Sequence, residues 1–186
     1  MKKKIGEVIL QIIPVMIGVY LGFVVSNWSE TNKTASQTEL LRNNIIAEIK
    51  SNKSKIDEVL EYHTMIRDSS RFYKNIPNIE KMPSFFKGTR TITLTNSAFD
   101  TGIQTGLINN LKFEEIQAIN NVYTMQSAYK DFNKLILSGL ITIDFQENEI
   151  GIRKFYGYLA VSMTDVVIQE NNLMRHYDKL LEKIEK

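Results

Sequence analysis

The chain has 186 residues, 43% of them hydrophobic and 24% charged, with three prolines and nine glycines; this is the usage of a folded domain with its own core, and it excludes long disordered tracts. The absence of cysteine excludes disulfides, thiolate zinc sites and cysteine nucleophiles. Net charge is +2, and once Lys2, Lys3, Lys4 and Glu7 are set aside the two signs balance, which leaves no electrostatic footprint for nucleic acid.

The first element is an apolar helix over residues 5–25. From Val8 to Val25 every residue is apolar, Gly, Pro or Tyr except Gln11. At about 1.5 Å per residue such a helix spans roughly 30 Å, the thickness of the bilayer hydrocarbon. Trp28 follows at interfacial depth, and Lys2 to Lys4 flank the other end. The positive-inside rule then places the N-terminus in the cytoplasm and the remainder outside. A cleaved signal peptide would need a shorter apolar stretch and a small-residue cleavage site, to which Val24-Val25-Ser26 is a loose match. A surface helix would need a charged face, which is absent. Gly18 and Gly22 form a G-x-x-x-G pair that lets two membrane helices approach closely, although glycine is also simply common in such helices. Pro14 removes one backbone donor. Glu7 and Gln11 are candidate intramembrane polar residues one turn apart. An acid there can mark an ion path, but Glu7 beside three lysines reads more simply as an interfacial charge.

The organisation expected is residues 1–28 as cytoplasmic tip and transmembrane anchor, and residues 29–186 as an extracytoplasmic domain. Ser36-Gln-Thr-Glu39 reads as a capping box opening a long helix over residues 36–76. Its seam is Ile45, Ile49, Asn52, Ile56, Val59, His63, Ile66, Ser70 and Tyr73, in steps of four and three. No breaker occupies residues 26–35, so the anchor can run into this helix as a stalk. Pro77 and Pro83 open a connector over residues 77–96. Within it Thr91-Ile-Thr-Leu-Thr95 alternates like a strand, and Leu140 to Phe145 is its only conceivable partner in a small ribbon. Ser97-Ala-Phe-Asp100 reads as a second capping box and Gly106 as a C-terminal cap, giving a short helix over residues 97–106. A helix over residues 112–138 carries the seam Ala118, Val122, Met125, Tyr129, Phe132 and Ile136, with Gly139 closing it. The last helix, residues 153–185, carries Leu159, Met163, Val166, Glu170, Leu173, Tyr177, Leu180 and Ile184. The fold class expected is all-α: an anchor helix followed by an antiparallel bundle of three long helices and one short one.

Signals for chemistry are sparse. His63 and His176 each stand alone on helices, and neither H-E-x-x-H, a phosphate loop nor a nucleophile elbow occurs. Glu114-Glu115 falls in a helix first turn, where acids suit the dipole. Glu147-Asn-Glu149 reads as a solvated turn. The polar residues Asn52, His63, Ser70 and Glu170 interrupt the apolar seams. They either fix register, line a ligand cavity between helices, or sit at exposed ends of the seams.

Two stretches carry a family resemblance: Val19-Tyr-Leu-Gly-Phe-Val-Val-Ser-Asn-Trp-Ser-Glu30 before a long charged helix, and Thr95-Asn-Ser-Ala-Phe-Asp-Thr-Gly-Ile-Gln-Thr-Gly-Leu-Ile-Asn-Asn110 before a helix containing Val122-Tyr123. In order and spacing the chain resembles an uncharacterised family of small single-pass membrane proteins common in Bacteroidota, which pairs an Asn-Trp-Asn-Glu-like anchor end with Ser-Ala-Tyr-like and Ser-Gly-Leu-like motifs. Ser29, Phe99 and Thr105 depart mildly from that pattern. The resemblance implies an inner-membrane location in a Gram-negative bacterium and brings no activity, cofactor or catalytic residue. The expected role is a non-enzymatic assembly or accessory subunit without cofactor. It would contact the lipid bilayer and either a second copy or another membrane protein, not nucleic acid. The alternative is a periplasmic sensor-type domain binding a small ligand between its helices.

Overall fold

The computed structural model describes residues 2–77, 79, 84–143 and 148–185, with side chains from residue 13 onward. Four α-helices follow in order: α1 (Lys2–Lys74), α2 (Ser97–Thr105), α3 (Phe113–Thr142) and α4 (Glu149–Ile184), with a 3-10 turn, Leu107–Asn110, between α2 and α3. No strand occurs among the described residues.

Helix α1 is one uninterrupted element of 73 residues, about 110 Å long by the helical rise. Ser36 therefore starts nothing: a capping box stops the chain from continuing upstream only where something breaks it, and residues 26–35 hold no breaker. Only the domain half of α1 is packed. From Leu41 onward its seam faces α4, which runs antiparallel along it through Lys50–Glu185, His63–Glu170 and Arg71–Thr164 contacts. Helix α3 runs parallel to α1, tied by Arg42–Glu115 at 2.7 Å and Tyr123–Glu48 at 2.5 Å. Ile45, Ile49, Ile56, Leu159, Leu173 and Leu180 fill the shared core. The α4 seam read from sequence is buried at every position. On α3 the buried stripe is Glu115, Ile119, Val122, Tyr123, Gln126, Tyr129, Asn133 and Ile136. Ala118, Met125 and Phe132 lie only half-buried beside it, because polar members of the true stripe are invisible to an apolar pattern.

The element boundaries correct four expectations. Helix α1 ends at Lys74 rather than residue 76, where Arg153 from α4 donates to the Lys74 and Ile76 carbonyls at 2.7 and 2.8 Å. Helix α3 runs through Gly139 to Thr142. Gly139 is there for proximity: a Cβ would sit 2.4 Å from the Tyr158 hydroxyl, which donates to the Ile136 carbonyl at 2.6 Å. Helix α4 starts at Glu149, not residue 153, because the Asn148 side chain accepts from Gly151 N–H and caps it. The box at Ser97 is replaced by a cap from another helix: Glu48 accepts from the Ser97 hydroxyl at 3.0 Å and the Ala98 N–H at 2.9 Å. The C-terminal cap at Gly106 is as expected, in left-handed backbone with φ of 72°.

The expected ribbon is absent among the described residues, and the reason is local. Leu140 to Thr142 belong to α3, and residues 144–147 lie outside the described residues, as do Pro83 and Glu147. Residues 84–96 instead run as a strap without regular structure against α1, and side chains of α1 take the place of a partner strand. Asn52, Lys55, Tyr62 and His63 all bond strap backbone.

Residues 13–33 of α1 are exposed at every position. Residues 13–25 are exposed on every face, Val19 at 70% and Phe23 at 69%. Among the described residues no helix is long and apolar enough to cross a membrane. The apolar side chains of Ile5, Val8, Ile9, Leu10 and Ile12 lie outside the described residues.

Candidate functional site

The four polar seam residues are all buried, which removes the reading that they sit at exposed seam ends. Two of them meet. The His63 Nδ1 lies 2.7 Å from Glu170 Oε1, and the pair is 1% and 0% exposed. His63 Nε2 faces the Thr89 carbonyl at 2.8 Å. A carbonyl only accepts, so Nε2 carries hydrogen and donates. Tyr129 donates its hydroxyl to the same Glu170 oxygen at 2.7 Å. One hydrogen thus bridges Nδ1 and Oε1, and a single junction ties α1, the strap, α3 and α4. Ser70 is buried with no partner for its hydroxyl.

Asn52 forms a second junction. Its Nδ2 donates to the Thr95 carbonyl at 2.7 Å, and its Oδ1 accepts from the Thr95 N–H at 2.8 Å. The same Nδ2 faces Gln126 Oε1 at 3.3 Å. Glu48 makes the third junction with Tyr123, Ser97 and Ala98. Sequence reading missed Glu48, Glu115, Tyr123 and Gln126 as site residues. The signal available was spacing: Glu48 stands four residues before Asn52, and Gln126 four after Val122, each on a face already marked as buried.

Two expected features fall elsewhere. Gly18 and Gly22 lie on the bare stretch, where a Cβ at either would meet nothing within 4 Å. The side chains of Glu7 and Gln11 lie outside the described residues. His176 remains a surface residue near Asn121. No group of three or more metal-ligating side chains occurs among the described residues.

A cleft of about 510 Å³ opens between the strap, α2 and α3. Ile92, Leu94, Phe99 and Tyr123 form its apolar walls, Gln126 and Tyr129 lie on the α3 side, and Asp100 and Lys130 also border it. The Phe99 and Tyr123 rings stack with centroids 4.3 Å apart. Asn52 and His63 do not border the cleft; their polar groups are spent on the strap, Gln126 and Glu170.

Burial, and then the neighbouring carboxylates, push the hydroxyls of Tyr123, Tyr129 and Tyr177 well above the ordinary tyrosine range, through Glu48 for Tyr123 and Tyr177 and through Glu170 for Tyr129. Because the folded value lies above the unfolded one, this stabilisation is complete below about pH 10 and is lost as pH rises past it. Alkaline titration is therefore expected to reveal part of the phenolate absorbance only together with cooperative loss of helical circular dichroism. Smooth ionisation of every tyrosine in a chain still folded would refute this.

The chain matches no family model, no curated protein and no solved structure.

Proposed function

We propose that the chain is a single-pass membrane protein that holds its helical bundle outside the cytoplasmic membrane on a rigid stalk. There it works as a non-catalytic assembly or accessory subunit, through contact with a second copy or another membrane protein. One observation carries this reading: residues 13–25 form a helix that is apolar all round and covered by nothing, in unbroken continuity with the packed half of α1. A helix apolar on every face belongs in a protein core or in lipid. The sequence extends the apolar run back to Val8 with Gln11 as its one polar member, and Lys2 to Lys4 favour a cytoplasmic N-terminus. The His63–Glu170–Tyr129 junction supports a structural role, since His63 and Glu170 are both sealed from solvent.

Full-length protein made in a Gram-negative host is expected to stay in the membrane pellet after alkaline carbonate extraction. Protease added to spheroplasts should digest its bundle. Val15→Arg, at a cost of about 2.5–3.5 kcal/mol for an arginine at mid-bilayer, should release it or block insertion. Extraction of the unmodified chain by carbonate, or a bundle digested only after lysis, would overturn the assignment. Gly18→Ile and Gly22→Ile are expected to weaken cross-linked oligomers in those membranes, and unchanged oligomers would move the contact to the bundle.

A further inference from the structure

His63 stands between two acceptors. Its Nε2 donates to the Thr89 carbonyl of the strap at 2.8 Å, and its Nδ1 lies 2.7 Å from Glu170 Oε1 on α4. The Tyr129 hydroxyl already donates to that same oxygen. His63, Thr89 and Glu170 are 1%, 7% and 0% exposed, which leaves solvent little access to any of these bonds. An imidazole with a single ring hydrogen can serve only one of the two acceptors. Both are served here because a second hydrogen lies between Nδ1 and Oε1. The count is the same whether that hydrogen sits nearer nitrogen or oxygen: ring and carboxyl together hold two, where a neutral ring and a carboxylate hold one.

Removing that hydrogen forces a choice. A bond to a carboxylate is roughly twice as strong as one between neutral groups. The remaining ring hydrogen therefore goes to Nδ1 and stays with Glu170. Nε2 then turns a lone pair toward the Thr89 carbonyl, and two acceptors cannot keep a hydrogen-bond distance. The bond that fails is the one to the strap. Asn52 still holds Thr95 and Tyr62 still holds Gly88, so the release is confined to the stretch between them, which includes Ile92 on the wall of the cleft.

The surroundings supply no substitute for this hydrogen. On α3, burial and then Glu170 hold the Tyr129 hydroxyl well above the ordinary tyrosine range, so it keeps its own hydrogen, and Tyr177 of α4 adds to the same effect. On α1, Tyr62 lies beside the His63 ring, and Arg67, one turn on, is paired with Asp68. The strap contributes Lys87 and Arg90, both exposed, with the Arg90 guanidinium 4.0 Å from the centre of the Tyr62 ring.

We propose that the His63–Glu170 junction is a proton-operated latch on the strap, closed while the bridging hydrogen is present and released at Thr89 when rising pH removes it. Above about pH 6.5 an unfolded histidine and glutamate hold no such hydrogen, so folding takes one up and stability falls as pH rises. The inference does not depend on the membrane assignment, since every group it uses lies in the bundle.

The test uses the full-length chain in detergent, unfolded by urea at a series of pH values. Between about pH 7 and pH 9 the folding equilibrium constant should fall by about tenfold per pH unit until the latch opens, and then level off. In Glu170→Gln the side-chain amide donates to Nδ1 while Nε2 keeps its hydrogen for Thr89, so no extra proton is needed and the constant should be level across the same range. A level profile in the unmodified chain overturns the proposal, as does an equal fall in Glu170→Gln. Nuclear magnetic resonance of the unmodified chain decides the matter if that variant does not fold. On alkaline titration the His63 Nε2 should lose its hydrogen at the pH where the Thr89 carbonyl signal shifts. A carbonyl signal that shifts while Nε2 keeps its hydrogen, or that stays fixed when the ring loses it, overturns the latch.

Discussion

Replacing His63 with alanine is expected to lower the unfolding free energy by about 2–4 kcal/mol, because the Thr89 carbonyl and Glu170 each lose a buried hydrogen bond, at about 1–3 kcal/mol for each group left unpaired. His63 is 1% exposed and links the Thr89 carbonyl of the strap to Glu170 of α4. Its loss leaves the Tyr129 hydroxyl on Glu170 Oε1, and the second Glu170 oxygen has no hydrogen-bond partner among the described residues. Urea unfolding followed by circular dichroism measures the loss. The diagnostic comparison is the double variant His63→Leu with Glu170→Leu, which removes both polar groups and should recover most of the stability. A single variant that costs under about 1 kcal/mol would mean that the junction is already hydrated and contributes little.

The second large effect is expected at Asn52. Asn52→Leu preserves approximate shape and removes three hydrogen bonds at once, orphaning the Thr95 N–H, the Thr95 carbonyl and Gln126 Oε1. Each buried group left unpaired costs about 1–3 kcal/mol, and partial rehydration at the strap edge holds the total to about 2–4 kcal/mol. The loss should be uneven. Hydrogen exchange is expected to quicken in residues 91–96 while the amides of α4 remain protected, because the strap depends on side chains rather than on a ladder. Uniform acceleration across the domain would show that Asn52 serves the core as a whole.

The two long seams of α1 and α4 were legible because the steps of four and three repeat without a break: most buried positions of α4 are apolar, and on α1 Ile45, Ile49, Ile56 and Ile66 mark the face on which Asn52, His63 and Ser70 are also buried. The α3 stripe was only half legible: Glu115, Gln126 and Asn133 are buried there, and their partners Arg42 and Asn52 stand more than 70 residues away in the chain. Capping signals failed for a related reason. A Ser at residue 36 is compatible with a helix start but cannot create one inside a chain that is already helical. At residue 97 the cap comes from Glu48, which no local window contains. The strap carried the alternation of a strand, and the physical content of that signal was right. The backbone is extended and needs partners; it finds them on side chains of α1. The cleft was not legible at all, since its walls come from the strap, α2 and α3, and their meeting depends on long-range packing.

The unbroken course of α1 also fixes a phase. At about 100° per residue, the Gly18–Gly22 edge points on average about 140° away from the Leu41–Ile45 edge that enters the core. A helix without a joint carries that angle intact from residues 18–22 to the core. Two chains joined along their glycine edges would therefore hold their bundles on opposite flanks of the pair, with the two α1 helices side by side between them.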